Sequence, residues 1–63
     1  MDAFQETYID LQKAVANRLI EINKLLVAHE LEFNNDPQYG YLGDLAHVDN
    51  LLGEVVAFLK NSD

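Results

Sequence analysis

The chain has 63 residues, no cysteine, and eleven Asp and Glu against four Lys and Arg, a formal charge of −7. Without cysteine there is no disulfide framework and no thiolate metal site, and the acidic balance opposes binding to nucleic-acid phosphates or to anionic membrane surfaces. A chain this short buries only about 60% of the surface its unfolded form exposes; with 49% apolar residues and no covalent staple, association with another chain is the expected stabiliser.

The first residues, Met1-Asp2-Ala3-Phe4-Gln5-Glu6, are acidic where a secretory leader is basic. No apolar run approaches the length of a membrane span. A cytoplasmic protein is expected.

A first helix is predicted from Asp2 to about Phe33. Phe4, Tyr8, Leu11, Val15, Leu19, Ile22, Leu26 and Phe33 recur at steps of three, four or their sum. Ile9, Ala16, Ile20, Val27 and Leu31 form a second stripe beside them, and Asp10, Lys13, Asn17, Glu21 and Lys24 lie opposite. The apolar face is wider than a two-stranded seam, as a bundle helix requires. Asp2 is the expected N-cap, with Gln5 three residues on to complete a capping box.

Asn34-Asn35-Asp36-Pro37 ends that helix, because proline cannot continue it and disfavours helical geometry in the residue before it. Gly40 and Gly43 add turn signals, so residues 34–43 are expected to form the connection, with 37–42 either a loop or a single turn capped by Asp36 ahead of Pro37. The second helix is expected at 44–60, with Asp44 as N-cap. Leu45, Val48, Leu52, Val55, Val56 and Leu59 line one face, Leu51 and Phe58 broaden it, and His47, Asn50, Glu54 and Ala57 take the other. Ala46, Gly53 and Ala57 fall close to one line, where a close helix approach is one reading and a tolerated glycine the other.

These elements predict an all-α fold: one domain spanning 1–63, a long–short antiparallel helical hairpin. At about 1.5 Å per residue the helices reach about 48 and 24 Å, so the short arm leaves Phe4, Tyr8, Ile9, Leu11 and Val15 uncovered. Covering them by self-association gives a homodimeric four-helix bundle with the long helices as its central pair. In length and layout the chain is similar to the small helical hairpins of the Rop family, which dimerise in this way. The similarity does not extend to a residue pattern, and the basic face with which Rop binds RNA has no counterpart here.

Candidates for chemistry are sparse. Asp44 and His47 stand at i, i+3, a spacing related to the Glu-x-x-His pairs of di-metal carboxylate bundles, with Glu21, Glu30 or Glu32 as imaginable further ligands. Asp44 is better explained as a cap, and His47 falls on the polar face. His29 lies at the edge of the apolar face near the end of the first helix. Ser62 and Thr7 are the lone Ser and Thr, both near termini, so nucleophilic catalysis has almost no candidates. Glu30 and Glu32, at i, i+2, diverge. The three glycines form no phosphate-binding pattern. No enzyme activity, cofactor or metal is expected.

Charge placement stands out more. Residues 25–59 carry Glu30, Glu32, Asp36, Asp44, Asp49 and Glu54 with no Lys or Arg. Glu30, Glu32, Asp36, Tyr39, Tyr41 and Asp44 together make the connecting end a candidate partner-binding tip, since Tyr is a frequent interface anchor. The function expected is a non-catalytic homodimer acting through protein–protein association, a small regulatory or adaptor module whose partners are itself and another protein. The alternatives are an acidic inhibitor or nucleic-acid mimic of phage or mobile-element type, and a di-metal bundle.

Overall fold

The computed structural model describes residues 2–61. They form two α-helices, α1 over Ala3–Asn35 and α2 over Tyr39–Lys60, with no strand among the described residues. The fold is all-α. Two compact units divide the chain, Met1–Leu31 and Glu32–Asp63.

α1 starts where the sequence places a cap. Asp2 Oδ1 accepts the Gln5 N–H at 2.8 Å, and the Asp2 carbonyl accepts the Glu6 N–H at 3.0 Å. One of the orphan donors of the first turn is thereby satisfied, and Glu6 complements the positive end of the helix. No Gly or Pro interrupts the next thirty residues or so. The helix closes at Asn35, slightly beyond the expected Phe33. Asp36 still donates its N–H to the Glu32 carbonyl at 3.0 Å; Pro37 then has no N–H to give.

α2 begins at Tyr39, ahead of the expected Asp44. Gln38 is the N-cap, in an extended conformation (φ −137°, ψ 148°) without a side-chain cap bond. Its amide instead donates from Nε2 to Asp36 Oδ2 at 2.7 Å. Asp44 is therefore inside the helix, not at its start, and residues 39–43 belong to α2 rather than to a connection. Two facts explain the longer helix. Gly40 and Gly43 both have negative φ, so they act as ordinary helical residues that cost about 1 kcal/mol each relative to Ala. Tyr41, two turns before Val48, continues the apolar stripe backwards and meets Phe33 edge-on at 6.3 Å between ring centroids. Such a ring pair contributes about 0.5–1.5 kcal/mol beyond its buried area, enough to offset much of the glycine cost. At the far end Asn61 donates both its N–H and Nδ2 to the Ala57 carbonyl, at 3.2 and 3.0 Å.

No described residue is fully buried. In the first unit Ile9, Ile22, Leu26 and His29 are half-buried; in the second, Phe33, Tyr41, Val48 and Leu52 are. His29 thus fills the place between Leu26 and Phe33 in the stripe, rather than standing at its edge. The complete series on α1 steps 4, 8, 11, 15, 19, 22, 26, 29, 33. Its mean step is close to 3.6, the period of a straight helix rather than the 3.5 of a left-handed supercoil.

Candidate association surface

The amino-terminal half of α1 carries the expected interface residues. Phe4 is 85% exposed, Tyr8 64%, Leu11 62% and Val15 56%, and Leu19 continues the row at 51%. Advancing about 100° per residue, these five fall within roughly 80° of arc. Ile9 stands apart from them: it lies on the second stripe, with Ala16, Ile20, Val27 and Leu31, and is half-buried. It still borders one apolar recess with Phe4, Gln5 and Tyr8.

A second recess, of about 420 Å³, opens on the row itself between Ala3, Phe4, Thr7, Tyr8 and Leu11. Four of these residues, at i, i+3, i+4 and i+7, are the set that forms a hole for an incoming side chain in helix–helix packing. Thr7 belongs to the surface although its residue type gave no apolar signal. Its hydroxyl donates to the Ala3 carbonyl at 2.8 Å, so the polar group is occupied within the helix.

Charge is partitioned around this half of α1. Between Ala3 and Leu19 the two carboxylates are Glu6 and Asp10, and the helical period puts both well off the row, by roughly 130° or more. Arg18 is the one charged residue at its edge, with Gln5 and Gln12 along the other border. An acidic protein thus presents one apolar face free of carboxylates.

The expected tip residues are spread over several elements. Glu30 and Glu32 are in the last turns of α1, which ends with no basic residue. Asp36 lies in the short link, and Tyr39, Tyr41 and Asp44 are in the first turns of α2. Tyr39 is almost fully exposed, whereas Tyr41 is half-buried against Phe33. Phe33, Pro37, Gln38, Tyr39 and Leu42 line an open concavity of about 290 Å³.

Asp44 and His47 stand on α2, one turn apart and exposed. Among the described residues no three His, Asp or Glu side chains come together to hold a metal ion. Neither helix is long and apolar enough to cross a membrane among the described residues. Ser62 lies outside the described residues. Comparison with protein-family profiles, curated proteins and solved structures finds no match.

Proposed function

We propose that this protein is a non-catalytic association module that works as a homodimer, its two long helices forming the centre of a four-helix bundle in the cytoplasm. The observation that carries the reading is the row of exposed apolar side chains on α1, Phe4 to Leu19, in a chain with no fully buried described residue. Burying each large apolar side chain contributes about 1.5–3 kcal/mol, and soluble monomers rarely leave so contiguous a patch in water. The helix lengths support it as well. α1 has 33 residues and α2 has 22, so in no arrangement does α2 cover α1 from end to end. The deficit is smaller than the sequence reading expects, because α2 starts earlier.

A second copy can meet this face with the least charge repulsion. Two chains of charge −7 repel each other, and the surface on which they can meet at least cost is one without carboxylates. Leu11→Asp puts a charge in the middle of that surface in both copies. Dimerisation is then expected to weaken by about 100-fold or more, from two lost side-chain burials. Gel filtration at matched concentration reads the change, and an unaltered elution volume would contradict the proposal.

The acidic stretch from 25 to 59 favours a second reading, docking of a basic protein surface in the manner of an acidic inhibitor. Binding of that kind is screened by salt, with a Debye length of about 10 Å at 0.1 M and 3 Å at 1 M. A partner captured as strongly at high salt as at low excludes it.

A further inference from the structure

Resting on the self-association proposed above, we infer that the two copies of α1 pair antiparallel through residues 4–19, about a two-fold axis near Leu11 and Gln12. The row Phe4, Tyr8, Leu11, Val15, Leu19 is nearly its own complement on reversal. With Leu11 set beside Gln12 of the second copy, Phe4 faces Leu19, Tyr8 faces Val15, and the same pairs recur on the other side of the axis. A two-fold interface demands this self-complementarity, and four of the five exposed side chains meet it.

The recess on the row agrees with that register. Four of its lining residues, Phe4, Thr7, Tyr8 and Leu11, centre between positions 7 and 8, level with Val15 and Ala16 of the second copy. A branched aliphatic side chain then enters a hole walled by Phe4, Thr7, Tyr8 and Leu11, knob into hole. By symmetry, Val15 of the first copy enters the same hole on the second. In the same register Tyr8 sits against Leu11, Ala14, Val15 and Arg18 of the other chain, where small Ala14 leaves room for the ring.

Direction follows from the charges along α1. Asp2 precedes α1, Glu6 and Asp10 lie in its first third, and Lys13, Arg18, Glu21 and Lys24 lie in its middle. Antiparallel pairing in this register brings Asp10 level with Lys13 and Glu6 within one residue of Arg18 of the second copy, two attractions against the one like-charge pair it makes, Asp2 with Glu21. A parallel dimer in register sets each group beside its own like. Glu6, Asp10 and Lys13 lie off the row, so this is a bias on direction over several ångströms, not a set of ion pairs. Helix dipoles add to it, since antiparallel neighbours place opposite ends together.

A chain without cysteine makes the test direct. Single variants Leu11→Cys, Tyr8→Cys and Val15→Cys are oxidised at micromolar concentration, alone and mixed, after circular dichroism has shown each to be helical. The expected result is a disulfide dimer from Leu11→Cys alone. Tyr8→Cys and Val15→Cys should link at least tenfold better mixed than alone, because antiparallel pairing separates each from its own copy by about 10 Å along the axis. If a variant loses its helicity, Gln12→Cys replaces it; antiparallel pairing sets this residue beside its own copy on one flank, and parallel pairing sets the two on opposite flanks. Efficient self-linking of Tyr8→Cys and Val15→Cys overturns the antiparallel register and leaves self-association standing. A dimeric mass with no linking at any position removes the row from the interface. A monomeric mass overturns both this inference and the function on which it rests.

Discussion

At the scale of single residues, Asp2 and the glycines give the sharpest expectations. The Asp2 carboxylate caps α1 by accepting the Gln5 N–H at 2.8 Å. Asp2→Ala should therefore cost about 0.5–2 kcal/mol in urea unfolding, while Lys13→Ala, on an exposed charged surface, should stay within about 0.5 kcal/mol of the parent. Gly43 and Gly53 lie inside α2 with negative φ, and a Cβ added at either meets nothing within 4 Å. Replacing either with Ala should stabilise the protein by about 0.5–1 kcal/mol, read as a raised melting temperature. A loss at Gly53 alone would mean that Ala46, Gly53 and Ala57 admit a neighbouring helix closely in the assembled protein. Residues of this kind were legible in the sequence when local chemistry fixes them. The Asp2 cap was, because a carboxylate three residues before a helical amide is a backbone-level signal. The role of Thr7 was not, because a hydroxyl reads as polar until its bond to the Ala3 carbonyl at 2.8 Å is seen.

At the scale of elements, α1 followed from its periodicity and from Pro37, and the start of α2 did not. Gly40 and Gly43 read as turn signals, and Asp44 has the side chain of a cap. Tyr41 was the signal on the other side. It keeps step with Val48 and Leu52 over two and three turns, and its edge-on contact with Phe33 at 6.3 Å is tertiary information that local propensity does not contain. The cap of α2 shows the same conflict. Gln38 makes no side-chain cap bond, so α2 starts without the support that α1 has. Gln38→Ser supplies an acceptor for the first-turn amides and should stabilise the helix by about 0.5–1 kcal/mol, visible as a higher melting temperature. No gain, with Gln38→Ala costing as much as a cap does, would show that the bond from Gln38 to Asp36 at 2.7 Å fixes the link instead. Phe4, Tyr8, Leu11, Val15 and Leu19 share one stripe by their spacing alone, and the structure adds that all five are exposed. The expected surface included Ile9, from the stripe beside the row, and stopped short of Leu19 because it was bounded by the reach of the second helix and not by exposure along the first.

At the scale of the whole molecule, stability turns on how apolar side chains are removed from water. The described residues include no fully buried side chain, yet a folded 63-residue chain must offset roughly 1.5 kcal/mol of conformational entropy per ordered residue. In the proposed dimer, a second copy on the carboxylate-free face of the first half of α1 would supply the missing burial, and the acidic remainder would keep the assembly in solution. Stability should then depend on protein concentration, because folding and association are one equilibrium in an obligate dimer. The most direct measurement is the molar mass in solution across a dilution series by light scattering, with helicity followed in parallel. A homodimer gives twice the 7.1 kDa chain mass, about 14 kDa, at micromolar concentration, with helicity falling as dilution dissociates it. A fully helical species of 7.1 kDa that persists unchanged through the series would contradict it.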